Sequence, residues 1–504
     1  MEPGALGGHV LLVALVIAID AGTTGVRSFA VDEDGHPRGW AYREFTQHFP
    51  QPGWVEHDAS EIWSAVEATL CELVASLGEP AAAIGITNQR ETAVAWDRRS
   101  GSPRHRAIVW QDRRTAGRCE ELRQAGHLAM VRARTGLVLD PYFSATKFRW
   151  LLTQGGVRAD PDLALGTVDS WVLWNLTGGV HATDPSNASR TLLYDIRHRR
   201  WDDDLGDVFG VPLQPLPEVR PSSGRLGVCS KDAAGGVVAG VPVSGIAGDQ
   251  QAALFGQACF SPGMTKNTYG TGSFVLMNVG AACPEPVEGL LASVAWELAS
   301  GEVAYALEGA IFVTGAALQW LRDGLGVIGS AAEAGPLAAS VPDTEGVYLV
   351  PALTGLGSPW WDPYARGVVV GLSRGSGRAH LARAAVEAMA YQTRDVVDAM
   401  RTASGREVTA LRADGGASVM DLLLQLQADQ LQVPVARPRV QETTALGAAY
   451  LAGLAEGVWG SLEDVASHWA LDAEFTPGIG PAAADSRHAG WLRAVDRSRG
   501  WAHG

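Results

Sequence analysis

The sequence predicts an α/β protein made of two similar halves that face a shared cleft. Three observations carry this. Strand-like apolar runs alternate with helical periodicity along all 504 residues. Two segments share one plan, strand, Gly/Thr turn, strand: Ile17–Asp32 (IAIDAGTTGVRSFAVD) near the start and Met264–Asn278 (MTKNTYGTGSFVLMN) near the middle. The length fits two to four domains, and no short repeat or low-complexity tract competes with that division.

The elements follow in chain order. Val10–Ile19 (VLLVALVIAI) is almost unbroken apolar sequence, too short for a bilayer span of about 20 residues. Its leader holds Glu2 and no Lys or Arg, unlike a secretory signal. The second half of the run is expected as a buried strand entering Asp20, and the first nine residues as a disordered extension. Ser60–Leu77 has helical periodicity. Ile84–Thr87, Val243–Ile246 and Val347–Pro351 read as strands. His380–Arg401 reads as a long helix whose buried stripe is Leu381, Ala385, Met389, Gln392, Val396 and Met400. The division between the halves is placed near Ala252–Gly256, giving domains 1–254 and 255–504.

Hydrophobic residues make up 46% and charged residues 19%, the balance of a globular protein without membrane insertion. The formal net charge of −15 repels phosphate backbones and argues against nucleic acid as a partner. The five cysteines are odd in number and form no CxxC. That argues against a disulfide framework or zinc site and fits a reducing cytoplasm.

Three Gly-rich turns carry chemistry. In Asp20-Ala-Gly-Thr-Thr-Gly-Val-Arg27, Gly22 and Gly25 are expected to let the backbone turn and approach a ligand. The hydroxyls of Thr23 and Thr24 and the turn amides can donate to phosphate oxygens, with Arg27 adding charge. Asp20, at a strand end, suits a water-mediated magnesium ion. Tyr269-Gly-Thr-Gly-Ser273 repeats the plan, and Asp414-Gly-Gly-Ala-Ser418 precedes a helical pattern starting near Val419, where an anion or nucleotide edge can sit. Neither GxxxxGK[ST] nor the protein-kinase GxGxxG set occurs. Arg90-Glu91, after a strand, can donate and accept together, as a polyol requires. Asp249, in Gly248-Asp-Gln-Gln251, can accept a hydroxyl proton during phosphoryl transfer. Taken singly, these stretches read equally as a hairpin turn, a surface ion pair and a helix N-cap.

Together the stretches PGWVEHD (52–58), GITNQRET (85–92), AIVWQDRRTA (107–116), TGLVLDPYFSATK (135–147), TDPSNASRTLLYDI (183–196), GIAGDQQAALFGQ (245–257), KNTYGTG (266–272), YALEGAIFVTGAALQWLRD (305–323) and ETTALGAAYLAGLA (442–455) resemble the glycerol-phosphorylating branch of the FGGY carbohydrate-kinase family. The resemblance runs from about residue 16 to 490. It implies two actin-like, hexokinase-like domains hinged around a deep nucleotide cleft. It implies phosphorylation of glycerol by ATP and Mg2+ in the cytoplasm, by a homodimer or homotetramer. Glycerol would be held by Arg90, Glu91, Tyr142, Asp249 and Gln250 and walled by Trp110 and Phe274, with Asp249 as base. Nucleotide contacts would come from Thr23, Thr24, Gly25, Arg27, Thr271, Gly315, Gln319, Gly416 and Met420, and the metal contact from Asp20.

Three departures stand out from the family pattern. Its first turn usually reads DQGTTSSR, so Ala21, Gly25 and Val26 replace a Gln and two small hydroxyl residues. Met420 stands where Asn is usual on the adenine side. Residues 229–242 lack the Gly-Thr-Arg with which some members bind a sugar bisphosphate, so that regulation is expected to be absent. Two rival functions are weighed, the first opposed by a helical pattern that starts only near His380, too late for a nucleophile elbow at Ser373. Gly371-Leu-Ser373-Arg-Gly375 fits the serine-hydrolase GxSxG, with His468 and His488 downstream. A related kinase for another polyol, or a nucleotide-binding scaffold without activity, would use the same fold.

Overall fold

The computed structural model describes residues 14–502. Each half opens with an antiparallel hairpin, because two apolar runs are joined by a turn of glycine and threonine. In the first half the elements are β1 (Leu15–Ala21), β2 (Gly25–Val31), β3 (Pro37–Glu44), α1 (Ala59–Leu77), β4 (Ala81–Asn88), α2 (Val168–Thr177), β5 (Ser223–Val228), β6 (Pro242–Gly248) and α3 (Asp249–Gly256). The sheet order is β5-β6-β4-β1-β2-β3. The second half contains β7 (Thr265–Tyr269), β8 (Ser273–Gly280), β9 (Leu291–Glu297), β10 (Val303–Ile311), α4 (Gly315–Gln319), α5 (Arg378–Ser404), β11 (Leu411–Asp414), α6 (Asp421–Leu431), β12 (Val435–Pro438), α7 (Thr443–Ala455) and β13 (Leu471–Phe475). Its order is β9-β10-β8-β7-β11-β12-β13.

The two sheets repeat one topology. β1 pairs antiparallel with β2 and parallel with β4, which pairs parallel with β6. β7 pairs antiparallel with β8 and parallel with β11, which pairs parallel with β12. A long helix precedes the third core strand in each half, α1 before β4 and α5 before β11. The parallel core strands therefore deliver their C-terminal ends to one side of each sheet, where α/β proteins bind ligands.

The sequence expectations for strands hold at 84–87 and 243–246, and Val347–Pro351 narrows to Tyr348–Val350. α1 begins one residue before expectation, capped by the Asp58 carboxylate on the Ser60 N–H and ended by left-handed Gly78. α5 exceeds expectation by two residues at its start and three at its end, and stops at left-handed Gly405. Five of its six stripe residues are buried; Leu381 is half-buried at the rim. The expected extension before residue 10 lies outside the described residues. No helix among those described is long and apolar enough to cross a membrane.

A division after residue 254 falls inside α3, and the chain crosses between the sheets through residues 257–264. α3 and α7, which follow equivalent strands, pack on each other, and α7 also lies on β1, β4 and β6 of the other half. α7 is apolar all round, as a buried helix must be. Its approach is so close that a Cβ on Gly85 would stand 2.0 Å from the Ala448 carbonyl oxygen, and one on Gly447 1.8 Å from that of Ala252. Only hydrogen fits at these two contacts.

Candidate active site

The turn after β4 brings Arg90 and Glu91 to the interior, with Glu91 held at φ +61°. A non-glycine residue there costs on the order of 1 kcal/mol or more and persists only where its surroundings fix it. They do. Arg90 donates twice to Glu308 of β10, Nη1–Oε2 2.7 Å and Nη2–Oε1 3.0 Å, and its Nε stands 3.0 Å from Asp249 Oδ1. Arg190 donates from Nε to Glu91 Oε1 at 2.5 Å and from Nη1 to Glu308 Oε2 at 3.3 Å. Two arginines and two glutamates thus form a closed buried lattice. Their side chains are at most 2% exposed, while Asp249 is 32% exposed. The lattice therefore presents one carboxylate to the cleft.

The electrostatics follow from this packing. Burial pushes the Glu91 carboxyl above its usual range against the pull of Arg190 and Arg90. Burial also opposes ionisation of Glu308, but Arg190 and Arg90 outweigh it and hold its carboxyl down to about 2. Burial and then the nearby Asp249 raise Asp20, at the end of β1, to about 7, with Arg27 opposing. Asp20 and Asp249 thus act on each other as like charges at strand ends. A hard divalent cation held through oxygen ligands suits that donor set.

Half-exposed aromatic rings stand beside the arginines of this lattice. Trp110 meets Tyr142 edge-on at 5.6 Å, and the Arg90 guanidinium lies 5.8 Å from the Phe274 ring. Arg190 lies 5.2 Å from the Tyr142 ring. Lys147 donates to the Tyr142 carbonyl at 2.5 Å, and its burial depresses the ammonium to about 7. Gln250 accepts from buried Lys266 at 2.5 Å, and Lys266 also donates to Thr268 Oγ1 at 2.8 Å. Burial lowers the Lys266 ammonium to about 8.

The first Gly/Thr turn is braced by side chains. Trp110 Nε1 donates to Thr23 Oγ1 at 3.0 Å, joining the aromatic wall to the turn. Gln47 Nε2 donates to the Thr23 carbonyl at 2.9 Å, and Gln89 Nε2 to that of Gly22 at 3.0 Å. Both glutamines meet the buried His57 ring, Gln47 Oε1 at Nε2 (2.6 Å) and Gln89 Nε2 at Nδ1 (3.3 Å). Since Gln89 can only donate there, His57 is neutral with its proton on Nε2. Burial, with nearby His48, lowers its ring to about 4.

The folded chain refines several sequence expectations and meets others. Gly22 and Gly25 do close a tight turn, the Gly22 N–H donating to the Gly25 carbonyl at 3.0 Å, and neither needs a left-handed φ to do so. Arg27 is paired with Glu442, next to the start of α7. The third Gly-rich loop forms a short 3-10 turn, Gly416–Val419, and α6 begins at Asp421. Met420 packs against the second-half core beside Gly335. Ser373 follows a three-residue strand but no helix begins until Arg378, so there is no nucleophile elbow. The Ser373 hydroxyl meets Ser376 and Gly375, while His488 is buried against Asp395 and His468 faces Asp464. The hydrolase geometry is not built.

The second Gly/Thr turn is braced by one segment, residues 314–316, through backbone N–H groups and the Thr314 hydroxyl, which reaches the Gly270 and Thr271 carbonyls at 3.2 and 3.3 Å. Thr314 and Ala316 N–H groups donate to the Thr271 carbonyl at 3.0 Å, and Gly315 to that of Gly270 at 3.1 Å. Gln319 and Gly416 lie exposed on the same half.

Arg190 and Glu308 were missed from sequence, as was Lys266. The available signal was a charge inside an apolar strand: Glu308 interrupts VAYALEGAI and is fully buried.

Comparison with known proteins agrees with this architecture. Residues 15–256 match the N-terminal domain, and 265–456 the C-terminal domain, of the FGGY family of carbohydrate kinases. The glycerol kinase of Carboxydothermus hydrogenoformans is 53% identical over 494 residues, 96% of this chain and 98% of that protein. The glycerol kinase of Trichlorobacter lovleyi is 54% identical over 498 residues, 97% of this chain and 100% of that protein. The crystal structure of Plasmodium falciparum glycerol kinase with ADP superposes with a TM-score of 0.92 at 32% identity, covering 96% of this chain and 98% of that one. With two actin-like halves of repeated topology and family matches over both, the chain belongs to the FGGY family of carbohydrate kinases.

Proposed function

We propose that the protein transfers the terminal phosphoryl group of ATP to glycerol, giving sn-glycerol 3-phosphate and ADP. The observation that carries this is the cleft-facing Asp249, held at 3.0 Å by an otherwise buried Arg90 beside half-exposed Trp110, Tyr142 and Phe274. Such a pocket offers donors and acceptors to hydroxyls and flat apolar surface to a short carbon backbone. The whole-length kinship with glycerol kinases supports that substrate.

In this reading Arg90, Glu91, Tyr142 and Gln250 hydrogen-bond the polyol, and Trp110 and Phe274 flank its carbons. Asp249 takes the proton of the attacking hydroxyl as its oxygen bonds to the γ-phosphorus and the bond to ADP breaks. Positioning and electrostatics supply most of the rate in this chemistry. Thr23, Thr24 and the Gly25 amide face the phosphates, with Arg27 adding charge from its place beside Glu442. Thr271, Gly315, Gln319, Gly416 and Met420 border the nucleotide. Asp20 would hold Mg2+ through water, and the ion would neutralise phosphate charge. Closure of the halves would exclude water as a competing acceptor. The domain division, the cytoplasmic location and assembly as a homodimer or homotetramer belong to the same proposal.

Product identity tests it. Phosphorus NMR of a reaction with Mg–ATP and glycerol is expected to show glycerol 3-phosphate growing as ATP falls. A phosphomonoester formed only from dihydroxyacetone, erythritol or xylulose would reassign the substrate.

A further inference from the structure

The first Gly/Thr turn lacks the hydroxyl residue usual at position 25, and the structure shows what occupies its place. Gly25 lies in β2 with no left-handed φ, so backbone conformation does not require glycine. Space does. A Cβ on Gly25 would stand 2.6 Å from Tyr42 Oη, 2.7 Å from Tyr42 Cζ and 2.5 Å from the Arg43 carbonyl oxygen. The phenol of Tyr42 fills the volume that a side chain at 25 would take.

Register places this phenol on the nucleotide side. Asp20 pairs with Arg27 across β1 and β2, and Arg27 pairs with Tyr42 across β2 and β3. Directly opposed residues project to the same face of a sheet, and an aromatic side chain also reaches its diagonal neighbour. Asp20, Arg27 and Tyr42 therefore form one row on one face. Tyr42 is half-exposed, its ring 5.8 Å from the Arg27 guanidinium. Its hydroxyl meets Thr24 Oγ1 only at 3.4 Å, a long contact that leaves the phenolic proton free for a stronger acceptor.

We infer that Tyr42 is a nucleotide-phosphate-binding residue whose hydroxyl, delivered from the neighbouring strand, replaces the one absent at Gly25. The inference rests on the kinase reading above. Gly25 and Tyr42 form a coupled pair: the glycine makes room and the phenol supplies the donor.

The test is Mg–ADP binding by titration calorimetry together with steady-state kinetics. Tyr42→Phe removes only the hydroxyl. It is expected to weaken Mg–ADP binding and raise the KM for Mg–ATP about ten-fold, the usual loss for one hydrogen bond to a charged group. The KM for glycerol and the Tm should stay unchanged. Gly25→Ser should lower the Tm by collision with the Arg43 carbonyl oxygen and the phenol. A Tyr42→Phe protein whose Mg–ADP affinity lies within two-fold of wild type overturns the inference. Wild-type protein that binds Mg–ADP but does not phosphorylate glycerol would overturn the functional reading and leave this comparison standing.

Discussion

The two Gly/Thr hairpins occupy equivalent places in the two sheets but are braced by different means. The turn after β1 is held by side chains: Trp110 on Thr23, Gln47 and Gln89 on turn carbonyls, and His57 behind both glutamines. The turn after β7 is held by one consecutive segment, residues 314–316, whose backbone N–H groups and Thr314 hydroxyl donate to the carbonyls of Gly270 and Thr271. Side-chain braces make the first turn respond to what lies in the pocket and to pH. The close approach of one segment to the second turn makes it sensitive to added bulk. Repeated topology thus fixes where phosphate loops stand, while local sequence decides what each loop is coupled to.

The largest predicted effect comes from Glu308, a second-half side chain that grips the first-half pocket. Glu308→Gln leaves Arg90 and Arg190 buried with too little negative charge, which costs about 3–5 kcal/mol when a buried pair is broken. Chemical denaturation should show that loss, and the surviving protein should have a raised KM for glycerol. A variant of wild-type stability and KM would show that Glu308 does not hold Arg90.

The pH dependence separates the two hairpins next. His57 is lowered from 6.5 to about 4 in the fold, so below pH 6.5 the unfolded chain binds a proton that the native state refuses. Stability is therefore complete above about 6.5 and falls as pH drops toward 4, by about 3 kcal/mol for this group. Wild-type Tm should decline across that window, and His57→Asn should decline less. Equal slopes would remove His57 as the cause.

Steric strain probes the second turn. A Cβ on Gly272 would stand 2.4 Å from the Ile311 carbonyl oxygen. Gly272→Ala should cost about 1–3 kcal/mol, as overpacking does, and raise the KM for Mg–ATP while sparing that for glycerol. The smallest effect tests coupling in the first turn. Trp110→Phe keeps an aromatic wall but loses the bond to Thr23, worth about 1 kcal/mol. It should raise both KM values a few-fold. A change confined to glycerol would mean that the wall and the turn act independently.

Much of this was legible in the sequence because it is local. The hairpins, α1 and α5 announce themselves through periodicity, caps and turn residues. Arg90, Glu91 and Asp249 stand at strand ends, where polar residues after an apolar run signal a site. What stayed hidden is non-local. Glu308 meets Arg90 from 218 positions away, and Arg190 meets Glu91 from 99. No spacing rule reports such pairs. The pairing of Arg27 with Glu442 and the filling of Gly25's space by Tyr42 likewise depend on neighbours that only the folded sheet supplies. Conversely, Ser373 matched a motif locally while its context already spoke against it, since the helical pattern starts only near His380 and the helix itself begins at Arg378.

The central claim is that Asp249 accepts the proton of a glycerol hydroxyl while phosphate binding lies elsewhere in the cleft. Glycerol-dependent ADP release, measured side by side for wild type and Asp249→Asn with Mg–ATP, tests it most directly. Wild type should release ADP only when glycerol is present, and Asp249→Asn should lose about 10²–10⁴-fold in kcat while still binding Mg–ADP. Wild-type release indifferent to glycerol, or an Asp249→Asn variant turning over at the wild-type rate, would contradict it.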